Sequence, residues 1–184
     1  MAVDGYLNNN IESGERMNNE FIILGCGHSE AMDNFNNNAI LINEQGALLI
    51  DCGYTIKHAL KAQGLSLEDV DAVFITHVHA DHVFGLERIA IESRYTYNKK
   101  IKLYYHESIH TELWDQTLKG SLGRNSEGEA SLDDYFDVEK IVGDQFSVFG
   151  NTFKLVPVSH TPNKPTFGLT INDYLFYSSD TTAI

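Results

Sequence analysis

The sequence predicts a single α/β domain, and two features of the 184-residue chain support this fold class. Short apolar segments rich in β-branched residues alternate with helix-like segments through the first two thirds of the chain. The last third contains strand-like segments separated by short turns of glycine, asparagine and aspartate. The length is sufficient for one domain with a hydrophobic core, and we find no linker and no short-period repeat.

The N-terminal region combines a polar segment with the first strands. Residues 1–19 are rich in Asn, Glu and Gly, so we expect a flexible tail followed by a domain over residues 20–184. Strands are predicted over residues 21–24, 39–42 and 47–50. The last two flank Asn43-Glu44-Gln45-Gly46, which is a sequence typical of a β-hairpin.

The middle of the chain alternates between helices and strands. Helices are predicted over residues 55–63, 84–95 and 108–118, and strands over residues 71–75 and 101–105. The segment from 119 to 131 is polar and contains three glycines, so we expect a loop there.

The C-terminal third is predicted to be mostly strands. Residues 135–142, 145–149 and 152–158 are expected to form an antiparallel set, because only short turns separate them. Residues 167–171 and 174–177 are expected to form a hairpin around Asn172-Asp173.

A histidine-rich motif follows the predicted strand at residues 71–75. The segment from Thr76 to His82 reads T-H-V-H-A-D-H. Residues two apart point the same way on an extended segment, so His77 and His79 can reach one metal ion together. Asp81 and His82 come after the turn and can face a second ion. Imidazole and carboxylate are the ligands expected for zinc, and they also suit iron or manganese.

Composition and charge limit the possible substrates and the expected cellular location of the protein. The formal net charge of −13 argues against unspecific binding to a nucleic-acid backbone, although it allows a small anionic substrate. No apolar run approaches the length of a membrane span, and no signal peptide is recognisable, so we expect no membrane association. Cys26 and Cys52 do not suggest a disulfide framework, and we therefore expect a cytoplasmic protein.

The motif T-H-V-H-A-D-H at 76–82 is followed by Phe84-Gly85-Leu86 and preceded by Leu49-Ile50-Asp51-Cys52-Gly53. Two further motifs are Pro165-Thr166-Phe167-Gly168 and Ser178-Ser179-Asp180. Together these motifs resemble those of the metallo-β-lactamase superfamily, in particular its ribonuclease Z-like branch. The resemblance implies an αβ/βα sandwich of two mixed β-sheets with outer helices and with metal ions at one sheet edge.

The resemblance also implies a two-metal site. His77, His79 and His160 would hold the first ion, Asp81 and His82 the second, and Asp180 would bridge both. Asp51 would be a buried acid that binds no ion itself and orients the motif residues. The residues themselves agree with this assignment, since His160 and Asp180 each follow a predicted strand as His77 does.

One part of the family pattern is not found in this sequence. The family has a further histidine on a strand well beyond the bridging aspartate, whereas only residues 181–184 follow Asp180 here. We therefore expect the last strands and helix of the family fold to be missing and the activity of this chain to be weak or absent. Three explanations for the missing part remain open. The sequence is a fragment, it is a short form completed by another subunit in a homodimer, or it is a degenerate protein.

The resulting functional hypothesis is a metal-dependent hydrolase. Paired zinc ions would supply hydroxide near neutral pH, with Asp81 orienting or deprotonating the nucleophile. The expected substrate is an RNA 3′ end or a small cyclic nucleotide, and the acidic composition favours the small nucleotide. The alternatives are hydrolysis of a thioester, lactone or β-lactam, and a non-catalytic remnant.

A second motif, His106-Glu107-Ser108-Ile109-His110, matches the H-E-x-x-H pattern of zinc proteases. In those enzymes the pattern lies within a helix, whereas His106 here directly follows a predicted strand. We interpret the segment as a polar first turn of the next helix.

Overall fold

Two β-sheets form the framework of the protein in a computed structural model that describes residues 18–182. The described strands are β1 (Glu20–Gly25), β2 (Asn38–Asn43), β3 (Gly46–Ile50), β4 (Ala72–Ile75), β5 (Ile101–His106), β6 (Arg124–Asn125), β7 (Gly128–Glu129), β8 (Phe136–Ile141), β9 (Gln145–Val148), β10 (Asn151–Pro157), β11 (Phe167–Ile171) and β12 (Leu175–Tyr177). The first sheet has the order β1-β2-β3-β4-β5-β8, and the second has the order β12-β11-β10-β9. Strands β6 and β7 pair separately as a small hairpin.

Helices connect the strands of the first sheet. The α-helices are α1 (Ile56–Ala62), α2 (Ala80–Val83), α3 (Leu86–Tyr95) and α4 (Lys119–Leu122). A π-helix spans Thr111–Leu118, and 3₁₀ turns lie at Leu67–Asp69, Glu107–Ile109 and Leu132–Asp134. Among the described residues, none of these helices is long and apolar enough to cross a membrane.

The two sheets pack face to face through aromatic side chains. Phe146 on β9 stacks on Phe74 of β4, with ring centroids 5.3 Å apart, and on Tyr104 of β5, at 5.0 Å. All four residues of β4 are buried, so both faces of this central strand are covered. Leu60 of α1 and Ile89 of α3 are fully buried in the same core. The arrangement is a sandwich of two sheets with helices, as predicted, but only the first sheet is mixed, because the described strands of the second sheet all pair antiparallel.

Most predicted elements are confirmed, but β8 belongs to a different sheet from the one predicted. Residues 136–141 pair in parallel with β5 in the first sheet instead of joining the antiparallel set. The long connection from β5, which includes the π-helix, is what a parallel neighbour requires. The short turn after β8 therefore leads the chain from one sheet to the other.

Two further segments differ from the predictions. The predicted loop at 119–131 contains α4 and the β6–β7 hairpin. The predicted tail includes Asn19, whose side chain is hydrogen-bonded to Asn43 and Asn151. Residues 1–17 of the predicted tail lie outside the described residues.

Candidate metal centre

The histidine motif begins at the C-terminal end of β4, in the centre of the first sheet. Strand β4 ends at Ile75, and the motif residues of the following turn bring His77 Nε2 to 3.0 Å from His79 Nδ1. Helix α2 begins at Ala80 and carries Asp81, which is almost completely buried, and His82, which is completely buried. Because helix α2 follows β4 so closely, the side chains of His77, His79, Asp81 and His82 lie together at one edge of the sheet.

A first group of ligand atoms is formed by three imidazoles. His160 lies in the loop after β10, and its Nε2 is 3.1 Å from His79 Nδ1. One nitrogen of each of His77, His79 and His160 lies within 4.8 Å of the others. Two nitrogens bound to the same tetrahedral zinc ion lie about 3.3 Å apart, so the spacing fits a divalent ion.

A second group consists of His77, His82 and Asp180, whose ligand atoms also lie within 4.8 Å of one another. Asp180 Oδ2 is 3.4 Å from His82 Nε2 and 3.7 Å from His160 Nε2, so this carboxylate lies between the two groups. Among the described residues, His82 Nε2 is a buried polar atom without a hydrogen-bond partner. A buried nitrogen in this position, facing a carboxylate, is well placed to bind a metal ion.

Asp81 lies beside these groups and is part of neither. Its Oδ2 is 3.7 Å from His82 Nε2, and the residue is only 5% exposed. The structure therefore brings five of the predicted ligands into two compact sets and places the sixth, Asp81, at their margin. The assignment of Asp81 as a ligand stays a prediction.

Asp51 contacts Thr76 and His82 and so helps to position the residues of the centre. Its fully buried carboxylate accepts hydrogen bonds from Thr76 N at 2.8 Å and from Thr76 Oγ1 at 2.8 Å. The same carboxylate also contacts His82, whose Nδ1 lies 2.8 Å from Asp51 Oδ2. Since Nδ1 is held by Asp51, Nε2 of His82 is the nitrogen that faces the site, which is the arrangement expected of an orienting acid.

The histidines differ in their affinity for protons. Burial, followed by the proximity of His82 and His79, lowers the pKa of His77 to about 2. Burial opposes protonation of His82 as well, but the adjacent Asp51 and Asp180 carboxylates raise its pKa to about 10. Burial and the nearby Lys164 ammonium lower the pKa of His79. The first group therefore contains two neutral imidazoles that are ready to bind a cation.

The Asp180 carboxylate is held in its ionised form. The adjacent His82 imidazole lowers its pKa against the effect of burial, and Asn37 contributes in the same direction. Asn37 Nδ2 donates to Asp180 Oδ1 at 3.1 Å, and Tyr177 OH donates to Asn37 Oδ1 at 3.0 Å. A negative carboxylate between two groups of imidazoles is suited to a site for cations.

The sequence did not predict the contacts of several residues in this region. Asn37 positions Asp180, Ser179 lies 2.9 Å from Thr76 Oγ1, and Lys164 donates to the carbonyl of Val78. The polar loop that contains Asn37 gave no local signal, since its partner lies 143 positions away. Only knowledge of the fold places these residues beside the motif.

The H-E-x-x-H segment does not form a second centre in the described part of the chain. His106 Nδ1 lies 2.7 Å from Ser108 Oγ and accepts from the Ser108 backbone, whereas His110 Nδ1 lies 2.8 Å from Tyr105 OH. The two imidazoles have separate local partners, as a polar first turn would have.

The packed sheets and the histidine centre at their edge define a protein of the metallo-β-lactamase fold. The metallo-β-lactamase fold protein YhfI of Bacillus subtilis superposes with a TM-score of 0.69 at 16% identity, covering 90% of this chain and 64% of YhfI. A diphosphatase of the PhnP family gives a TM-score of 0.60 at 20% identity, with 83% and 62% covered. The short form of human tRNase Z gives 0.57 at 20% identity, with 82% and 64% covered.

Within this fold class, the chain belongs to the family described as Anti-Pycsar protein Apyc1, whose sequence pattern matches residues 19–184. An Anti-Pycsar protein Apyc1 of Paenibacillus harenae is 40% identical over 160 residues, which cover 86% of this chain and 66% of the relative. One of Bacillus phage 010DV004 is 32% identical over 176 residues, which cover 88% and 68%. The chain therefore spans about two thirds of the length of these relatives.

This membership corrects the narrower prediction from the motifs. The metallo-β-lactamase fold is confirmed, but the sequence match is to the Apyc1 family, and the ribonuclease Z-like branch is not supported. The likeness to tRNase Z, at 20% identity, concerns the fold alone. A shared fold leaves the chemistry of its site open, so it does not select one branch.

Proposed function

We propose that this chain carries the metal centre of a metal-dependent phosphodiesterase that hydrolyses small cyclic nucleotides. The observation that carries the proposal is the convergence of two groups of ligand atoms, which share His77, at one edge of the sandwich. A pair of adjacent cation sites is the arrangement that enzymes use for hydrolysis of phosphate esters. The proposal includes divalent metal ions at both groups, with zinc as the expected metal and manganese or iron as alternatives.

The substrate class follows from charge and size. The chain has a formal net charge of −13, which repels a long polyanion such as RNA. A cyclic nucleotide carries a single phosphodiester charge, which cations held at the centre would offset locally. A small cyclic nucleotide is therefore favoured over an RNA 3′ end.

Each residue of the centre has a distinct role in this proposal. His77, His79 and His160 would hold one ion, and His77, His82 and Asp180 surround the second position. Bound divalent ions would polarise the phosphate and lower the pKa of a nearby water. Asp81, nearly buried at the margin of the site, would orient this water or accept its proton. Asp51 keeps Nε2 of His82 facing the site.

The proposal is tested with a panel of substrates and the zinc- or manganese-loaded chain. The panel contains purine and pyrimidine 3′,5′-cyclic nucleotides, bis(p-nitrophenyl) phosphate, an RNA with a 3′ extension, a chromogenic β-lactam and a thioester. We expect weak hydrolysis of the cyclic nucleotides to the linear monophosphates, and its loss in His77→Ala. The matched control is His58→Ala, because His58 is exposed on α1 away from the ligand groups.

The outcomes separate the hypotheses. Preferential cleavage of the RNA would contradict the proposed substrate class while keeping the phosphodiesterase chemistry. Preferential cleavage of the β-lactam or thioester would replace this chemistry with acyl transfer. A chain that binds close to two metal ions but hydrolyses no substrate would be a non-catalytic metal protein, and one that binds none would refute the metal centre itself.

A further inference from the structure

Lys164 joins the two loops that carry the histidines of the first group. It lies in the segment between His160 and β11, and its Nζ donates to the carbonyl oxygen of Val78 at 2.9 Å. Val78 is the residue between His77 and His79. The same ammonium forms an ion pair with Glu112, and the Lys164 side chain is only 15% exposed. A lysine that is this buried and paired has a fixed position.

Apart from the contacts among the histidines themselves, the described residues contain two hydrogen-bonded links between these loops, and the Lys164 contact is the outer one. The inner link is a backbone hydrogen bond from Phe167 N to Thr76 O at 3.2 Å, at the end of β4. The Lys164 contact lies beyond the end of the strand, beside His79. On the other loop, Lys164 N bonds Thr161 O at 3.2 Å, which closes a turn directly after His160. Movement of Lys164 would therefore alter the separation of the two histidines.

Glu112 holds Lys164 from a third element. It lies in the first turn of the π-helix Thr111–Leu118, an uncommon conformation that occurs frequently near functional sites. Its carboxylate compensates the Lys164 charge, which would otherwise repel a cation bound by the neighbouring imidazoles. The pair thus supplies a rigid donor to the motif without adding net positive charge.

We propose that Lys164 is a positioning residue for the first metal group: it sets the 3.1 Å separation of His79 Nδ1 and His160 Nε2 through its bond to Val78. The inference rests on the metal-binding part of the proposed function. It assigns Lys164 no contact with substrate. Its loss should weaken binding at the His77, His79 and His160 group and leave the second group largely intact.

The test measures zinc affinity by competition with a chromophoric chelator. Lys164→Met removes the ammonium but keeps an unbranched side chain, and Lys164→Arg keeps a donor that can reach both partners. Each variant is also made in a His82→Gln background, which removes a ligand of the second group and isolates the first. We expect Lys164→Met to lower the affinity of the first group by about 10- to 100-fold, the range typical of outer-shell contacts. Lys164→Arg should retain most of the affinity.

Lys99 provides the matched control. Its Nζ donates to the Glu68 carbonyl at 2.9 Å and pairs with Asp71 at 2.7 Å, so it makes the same two kinds of contact. These partners lie before β4, at the opposite end of the strand from the motif. Lys99→Met should therefore leave zinc affinity unchanged, although it removes an equivalent pair of interactions.

The measurements distinguish three failures. If Lys164→Met binds both zinc equivalents as tightly as the parent chain, Lys164 is not a positioning residue. If it loses both equally and unfolds at a lower temperature without metal, its role is generally structural and the proposal is again wrong. If the parent chain itself binds no zinc, the proposed metal centre fails, independently of Lys164.

Discussion

The buried carboxylate of Asp51 lies 2.8 Å from Nδ1 of His82 and fixes which nitrogen of that imidazole faces the metal centre. Both side chains are completely buried, so neither group can exchange its partner for water. Asp51 also has a positive φ of 62°, a conformation that Asp and Asn adopt more readily than most residues. A backbone turn after β3 is therefore part of what orients a ligand on α2.

Asp51→Asn should weaken both the centre and the fold. Asparagine keeps the backbone conformation but removes the charge that pairs with His82. We expect the free energy of unfolding of the metal-free protein to fall by about 3 kcal/mol, as for other broken buried pairs. Metal affinity of the group that contains His82 should fall about 10- to 100-fold. Chemical denaturation and metal titration measure the two effects.

The control for this prediction is Asp173→Asn. Asp173 also has a positive φ, of 58°, but it is exposed in the turn between β11 and β12. Its substitution should change neither quantity. An Asp51→Asn protein with parental stability and affinity would show that the carboxylate has no orienting role.

Metal binding at His82 should release a proton at neutral pH. The pKa of His82 is raised to about 10, so at pH 7 the metal-free imidazole carries a proton that an ion at Nε2 must displace. The pKa of His77 is lowered to about 2, so His77 has no such proton to lose. Affinity of the second group should therefore rise with pH, by up to about tenfold per unit below pH 10.

Calorimetric titration in two buffers of different ionisation enthalpy measures the released protons. The parent chain should release about one proton more than His82→Gln for a full load of metal. Equal release by the two proteins would mean that His82 is neutral before the metal binds, contrary to the electrostatic argument.

Substitutions around Asn37 should lower the metal affinity of the Asp180 group by different amounts. Tyr177→Phe removes the donor to Asn37, Asn37→Ala removes the donor to Asp180, and Asn37→Asp places a like charge 3.1 Å from it. Hydrogen bonds to charged groups contribute about 1.5–3 kcal/mol, so Asn37→Ala should cost about tenfold or more in metal affinity of the second group. Tyr177→Phe should cost less. The ranking, obtained from metal titrations, would be contradicted if all three variants behaved alike.

Gly53 lies where the turn after β3 packs against helix α2. A Cβ atom at this position would overlap the carbonyl oxygen of Asp81 and lie 2.8 Å from Asn36 Cβ. Gly53→Ala should therefore displace the helix that carries two site residues, lowering the free energy of unfolding by about 2–3 kcal/mol together with metal affinity. Gly120→Ala is the control, because no atom lies within 4 Å of the added group. Thermal unfolding of both variants decides the prediction.

The sequence was informative where the structure depends on local pattern. The apolar alternation identified the strands, and T-H-V-H-A-D-H identified the end of β4, because strand period and ligand spacing are short-range properties. The sheet that β8 joins could not be obtained in this way, since a short polar turn looks the same whether it closes a hairpin or leads to another sheet. The Lys164–Glu112 pair was equally inaccessible, because no periodicity links positions 52 residues apart.

The centre joins distant parts of the chain, and this has a consequence for the order of folding. His79 and His160 are 81 positions apart, and Asn37 and Asp180 are 143 positions apart. Closing such large loops costs more entropy than pairing neighbouring strands, so we expect β1 to β5 to associate first. Both groups of ligand atoms are complete only after the second sheet has docked. An ion held by the full set would therefore bind only to chains in which the second sheet has docked.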